Sequence, residues 1–375
     1  MLIAFIALAL LFDFIDVFEG HYKIHYLNTT YGKTEPVITL MTYCHSEMSL
    51  FMATYSVVFL LVKRGELLKT CLTFEEVCKT LEISAPAIQA KLRRLRWSFW
   101  FIIVLAIIAL VCSVVDPHFW ETFYHARPYG FMILPGGLIS LYFRGIMFYC
   151  TLIHYLMHNL FGYFCDLLLV CSEDLRQQQA EFLETLTLKP DLKLSGIKFE
   201  DRLRIWLGQN ELLKAQFDQV QKTFSWKLLL DVGCISLAIC MQLAWISTWI
   251  LKPGMDDFSL WTVGTLAQHL LYTMMYLFCG WVVLFRPLML HQLHQQRSDL
   301  LEKIICSAQT SGLKNATRAE VLLTSVLMHR FSTSQLLFNA GGIVTLGTTV
   351  LCTISAAIFA FAWFILDRSL AYRPT

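Results

Sequence analysis

The residue types best suited to chemistry are histidines in pairs. His154 and His158 stand four apart, and His291 and His294 stand three apart. On a helix both spacings place the two imidazoles on one face. Imidazole is a general base and a common metal ligand, and membrane di-iron enzymes gather several such pairs around two ions. This chain has no HExxH motif and no adjacent His-His, and too few of its 11 histidines cluster to hold two metals. The pairs therefore read as interior histidines satisfied by their neighbours. No catalytic residue, metal ligand or cofactor is expected, and no nucleic-acid partner.

Two charges inside apolar segments are more informative. Arg144 and Glu47 each lie within a run of apolar residues. An ionisable group at the centre of a membrane helix costs about 2.5–3.5 kcal/mol on insertion scales, so it faces a bundle interior or water. Gln242, Trp245 and Trp249 on one neighbouring segment, and Trp261, Gln268, His269 and Tyr272 on the next, fall at a similar depth. Aromatic walls with a few polar groups suit a small-molecule pocket. Interfacial enrichment of Trp and Tyr, with Glu47 simply pairing Arg144, accounts for the same residues without a ligand. Both readings stand.

The last apolar segment carries the most unusual face. Thr345, Thr349, Thr353, Ala356, Ala360, Phe364 and Asp367 step by four, four, three, four, four and three. This face is small and hydroxyl-rich, then closes with an aromatic ring and a carboxylate, and Arg368 follows. Small residues allow close helix packing. Repeated around an axis, the same face would make a Thr-lined conduit with an apolar constriction and a ring of carboxylates.

These residues must be positioned by membrane helices. The chain of 375 residues is 56% hydrophobic and 15% charged, with mean hydropathy +0.55, well above the apolar share of soluble domains. Seven segments qualify as spans: 1–19, 37–62, 97–115, 131–165, 226–251, 258–285 and 338–366. Segment 1–19 is the weakest, because Asp13, Asp16 and Glu19 crowd its end. It reads as a span or an unusual signal peptide.

Lys and Arg distribute unevenly between the two faces. Segments 63–96, 172–227 and 286–337 hold 23 of the 30, the opposite face holds six, and Arg144 is the remainder. By the positive-inside rule the amino terminus is cytoplasmic and the carboxyl terminus extracellular. That orientation is the inverse of a G-protein-coupled receptor. The third span also lacks a closing Asp/Glu-Arg-Tyr, and the last lacks Asn-Pro-x-x-Tyr. Of the two glycosylation sequons, Asn28 falls outside and is expected to carry a glycan, while Asn315 falls inside. The 12 cysteines show no CxxC pair and imply no disulfide framework.

The expected organisation follows. Residues 1–171 hold spans one to four with the cytoplasmic loop 63–96, and 226–285 hold spans five and six. Segments 172–225 and 286–337 form a cytoplasmic helical anchor, 338–366 the last span, and 367–375 a short extracellular tail. The stretch 138–178 contains no proline, so the fourth helix should overrun the membrane by about twofold at 1.5 Å per residue. Residues 199–224 read as an amphipathic helix, with Leu203, Trp206, Leu213, Phe217, Val220 and Phe224 in one stripe and Asn210 in the same seam. The stripe needs a partner, and the end of the fourth helix and loop six are available.

At this point the chain resembles the insect gustatory receptors, relatives of the odorant receptors. FNAGGIVTLG (338–347) resembles the glycine-rich opening of the family's last span. Ala360-Phe361, the five residues AWFIL, then Asp367-Arg368 keep the spacing of its Thr-Tyr and Gln-Phe pairs, with both pairs substituted. Length, seven spans, inverted orientation and the overlong fourth helix agree as well. The resemblance implies an all-α ligand-gated, non-selective cation channel of four subunits in the plasma membrane of sensory neurons. It implies a central pore lined by the last helix, a tastant-sized ligand in the outer half of each bundle, and Phe364, Asp367 and Arg368 at the narrow pore end. The four subunits would be identical or mixed with related chains, in contact with membrane lipid. An odorant receptor subunit, a membrane enzyme using the histidine pairs, and a transporter are the alternatives.

Overall fold

The computed structural model describes residues 36–81, 83, 85–115, 133–188, 196–251, 260–310, 322, 324–326, 328–329 and 336–371. Segment 1–19, Asn28 and Asn315 lie outside them. Nearly everything described is helical. The helices are α1 (Pro36–Thr80), α2 (Ala85–Val115), α3 (Ile133–Leu188), α4 (Gly196–Leu251), α5 (Leu260–Gly280), α6 (Arg286–Thr310) and α7 (Thr348–Ala371). The predicted spans 37–62, 97–115 and 226–251 fall within α1, α2 and α4, and the described parts of 131–165, 258–285 and 338–366 overlap α3, α5 with the stretch after it, and α7. Among the described residues, four stretches are long and apolar enough to cross a membrane, within α3, within α4, across α5 and α6, and in α7.

Two helices run far beyond a membrane thickness. α3 and α4 each hold 56 residues, so α4 passes without a break through the boundary expected at 225. α5 and α6 are likewise one rod, joined by a π-helical stretch, Trp281–Phe285. Pro287 follows one residue later. Its ring would collide with the carbonyl four residues back and it has no N–H to donate. A widened turn just before it absorbs both defects without ending the helix.

The π stretch lies against α3 at a glycine. A Cβ on Gly162 would stand 2.9 Å from Val282 Cγ1, so a larger residue would push the two helices apart. The Gly162 carbonyl accepts a hydrogen bond from Arg286 Nη1 at 3.2 Å, and the same guanidinium pairs with Asp166.

The core sits where α1, α3 and α4 meet. Phe224 on α4 has Phe59 at 5.3 Å, Phe161 at 5.2 Å and Phe164 at 6.0 Å between ring centroids. The amphipathic stripe is covered within the chain: Leu203, Trp206, Leu213, Phe217, Val220 and Phe224, with Asn210, are all buried. Leu203 and Trp206 pack with Leu301 and Ile304 of α6 and with Phe182 of α3. The other four join the main core. The described cysteines are all free.

One expectation is corrected. The last span does not begin as a helix at 338. Residues 339–345 form a β-hairpin, β1 (Asn339–Ala340) pairing antiparallel with β2 (Val344–Thr345). Gly341 and Gly342 occupy the turn at φ +62 and +75, where a side chain costs about 1–2 kcal/mol. α4 supplies hydrogen bonds that a helix would otherwise provide. Gln221 Oε1 accepts the Asn339 N–H at 2.9 Å, and Gln221 Nε2 donates to the Asn339 carbonyl. The Ser225 carbonyl accepts the Gly341 N–H at 2.9 Å, and Ser225 Oγ donates to the Asn339 carbonyl at 3.0 Å. Phe338 anchors the hairpin between Phe217 and Phe161, at 4.6 and 5.3 Å. Helix α7 then starts at Thr348.

Candidate functional site

Among the described residues, helix α7 packs chiefly through one narrow seam. Leu351, Ile354, Ile358 and Phe361 are half-buried and Ile365 is buried, a spacing of three and four that lies against α4. Phe359, Trp363 and Phe364 face outward. All seven positions of the predicted small-residue face are exposed: Thr345, Thr349, Thr353, Ala356, Ala360, Phe364 and Asp367. Thr345 departs from the reading only in standing on β2 and not on the helix. Thr353 Oγ1 donates to the Thr349 carbonyl at 2.8 Å, which satisfies the hydroxyl proton and leaves oxygen lone pairs outward. Arg368 belongs to α7, but its side chain lies outside the described residues.

Of the predicted pocket residues, three have described side chains. Gln242 on α4 is fully buried, and its Oε1 accepts a hydrogen bond from His269 Nδ1 on α5 at 2.8 Å. Because an amide oxygen only accepts, the proton of a neutral His269 sits on Nδ1. Tyr272 is half-buried against the core, and Thr273 donates to the His269 carbonyl at 2.8 Å. A polar bridge thus joins α4 and α5 inside the bundle. Glu47 lies on α1, Arg144 on α3, Trp245 and Trp249 on α4, and Trp261 and Gln268 on α5. Their side chains lie outside the described residues.

A separate groove of about 370 Å³ opens between α1 and α4, lined by Met48, Phe51, Leu229, Leu230, Gly233, Cys234 and Leu237. It shares no residue with the predicted pocket, and its wall offers apolar contacts and little to orient a polar ligand.

The first histidine pair enters a buried polar cluster. His154 and His158 lie on α3, with Ser56 of α1 and Lys227 and Asp231 of α4, all buried. Lys227 Nζ donates to both carboxylate oxygens of Asp231, at 2.8 and 2.6 Å. His158 Nε2 stands 3.3 Å from Asp231 Oδ2, and Ser56 Oγ stands 2.7 Å from His154 Nδ1. Ser56, Lys227 and Asp231 escaped the sequence reading. The stretch KLLLD (227–231) held the signal: a Lys and an Asp four apart inside an apolar run carry the same burial cost that drew attention to Glu47 and Arg144. The second pair differs. His294 is buried on α6, while His291, less buried, meets Gln295 at 3.0 Å.

Comparison with known proteins agrees with this architecture. The fold is that of an insect olfactory receptor, OR5 from Machilis hrabei. Its structure in complex with eugenol superposes with a TM-score of 0.63 at 10% identity, covering 94% of this chain and 88% of that one. A second structure of the same receptor gives 0.61 at 11% identity, over 96% and 88%. No curated protein sequence matches the chain. Residues 2–365 match the family described as 7tm Chemosensory receptor. The chain belongs to that family of multi-pass membrane chemosensory receptors.

Proposed function

We propose that this chain is a gustatory-type receptor subunit of a non-selective cation channel opened by a small molecule. The observation that carries the reading is the outward face of α7. A face of Thr349, Thr353, Ala356 and Ala360, ending in Phe364 and Asp367, is exposed. Threonine oxygens offer a permeating cation partial replacement for water, and a ring of carboxylates attracts it. Copies of α7 around an axis, four in the resembling family, would turn that face inward and set Phe364 as the constriction. The copies are identical or belong to related receptor chains.

The Lys and Arg bias supports an amino terminus in the cytoplasm and the end of α7 outside, and the family resemblance implies the plasma membrane of a sensory neuron. The eugenol complex of the olfactory receptor supports a small organic ligand here too. The outer bundle around Gln242, His269 and Tyr272 is where it would bind, with Glu47, Arg144, Trp245, Trp249, Trp261 and Gln268 on the same helices. Ligand would open the pore by binding the open state more tightly than the closed one.

The test is ligand-evoked current in cells expressing the chain, alone or with related subunits. Asp367→Asn should lower cation preference and Phe364→Ala should raise the unliganded current. Unchanged currents in both variants would remove α7 from the pore. Similarity to an olfactory receptor favours a second reading, an odorant receptor subunit. Responses to volatile ligands that require a co-receptor chain would select it.

A further inference from the structure

We propose that His154, His158 and Asp231 form a binding site for a divalent transition-metal ion of the zinc class, inside the bundle where α3 meets α4. One ring nitrogen from each histidine and one carboxylate oxygen all lie within 4.8 Å of one another. Ligand atoms in a tetrahedral zinc shell stand roughly 3.4 Å apart, given bond lengths near 2.0–2.2 Å. Small side-chain rotations therefore close the set around an ion.

The hydrogen bonds behind the imidazoles orient them for this role. His158 Nδ1 lies 2.9 Å from the His154 carbonyl. A carbonyl only accepts, so the proton is on Nδ1 and the Nε2 of a neutral ring carries a bare lone pair. That lone pair faces Asp231 Oδ2 at 3.3 Å, and two acceptors in contact require a cation or a proton between them. His154 is also held through its second nitrogen, with Nδ1 against Ser56 Oγ at 2.7 Å, a hydroxyl able to accept its proton. Both Nε2 atoms are buried and have no hydrogen-bond partner among the described residues. Histidine ligands in metal sites are characteristically fixed through the second ring nitrogen in this manner. Three protein ligands leave a fourth position for water.

Lys227 sets the character of the site. Its ammonium already holds Asp231 at 2.6 Å, so an incoming ion competes with it for the carboxylate. The ammonium must swing away as the metal enters. That competition makes the site labile and its occupancy dependent on metal concentration, unlike a permanent structural zinc. It also gives the proposal a signature that packing alone does not predict: removing the lysine charge should strengthen metal binding.

The experiment uses the full chain purified in detergent, stripped by chelator and titrated with Co²⁺, whose tetrahedral visible absorption reports the ligand shell. One Co²⁺ per chain is expected, displaced by Zn²⁺. His154→Gln, His158→Gln and Asp231→Asn should each weaken binding by about tenfold or more, and Lys227→Met should tighten it. Variants are compared only where size exclusion gives the wild-type profile, and Lys227→Met supplies a test that needs no ligand to be lost. Absence of cobalt uptake at millimolar concentration, or uptake unchanged in the His154→Gln/His158→Gln double variant, would overturn the assignment.

Discussion

The stripes on α4 and α7 share one helical period and end in opposite surroundings. On α4, Leu203, Trp206, Leu213, Phe217, Val220 and Phe224 are covered by α1, α3, α6 and the hairpin's Phe338. On α7, Thr349, Thr353, Ala356 and Ala360 are exposed. The difference lies in side-chain volume. Large apolar groups gain most from burial, about 1.5–3 kcal/mol each, and the fold closes around them. Small and hydroxylated groups gain little from burial inside one chain, and the seam of Leu351, Ile354, Ile358 and Ile365 takes their place against α4. Periodicity thus announces a face, and composition decides whether the same chain covers it.

The sharpest way to break this contrast is Trp206→Ala. Truncating a fully buried indole costs about 3–5 kcal/mol. Thermal unfolding of the detergent-solubilised protein, followed by circular dichroism, should shift well below wild type. An unchanged midpoint would mean the α4 stripe does not hold the helical extensions together.

Next comes the junction between the two stripes. Gln221→Ala leaves the Asn339 N–H without its α4 partner and the Asn339 carbonyl with Ser225 Oγ alone, a loss of about 1–3 kcal/mol. Hydrogen exchange at Asn339 should accelerate while the aromatic core stays protected. Gly341→Ala should cost about 1–2 kcal/mol through backbone strain alone. Its new Cβ would also meet Leu229 Cδ2 at 2.6 Å, so adding Leu229→Ala should return only the steric part, measurable as a partial recovery of melting temperature.

The smallest stability effect belongs to α7. Thr353→Ala should change stability by no more than about 0.5 kcal/mol, as for other exposed positions. In the proposed channel it should nonetheless alter unitary conductance in patch recordings. A large drop in melting temperature would show that this face is packed after all.

Much of this was readable from local pattern. Apolar runs located the helices, proline's absence from 138–178 announced the length of α3, and the three- and four-residue spacing picked out both stripes. What escaped depends on partners distant in sequence. FNAGGIVTLG is apolar enough to read as the start of a span. It becomes a hairpin because Gln221 and Ser225, more than a hundred residues earlier, supply its hydrogen bonds. The π stretch before Pro287 has no pattern of its own, since a proline in an apolar run equally well ends a helix. The histidine pair was visible, but its chemistry was not, because Asp231 and Lys227 reach it from another helix. The Gln242–His269 bridge was anticipated only as two polar residues at similar depth.

The length of α4 gives the hairpin a mechanical meaning. Fifty-six residues make a rod of about 84 Å at 1.5 Å per residue, and such a rod moves as a lever. A slight tilt carries its two ends through large and opposite arcs, while its midpoint barely shifts. Gln221 and Ser225 flank the midpoint of Gly196–Leu251. The strand they grip is therefore fastened at the fulcrum, where swinging α4 turns the start of α7 without dragging it sideways.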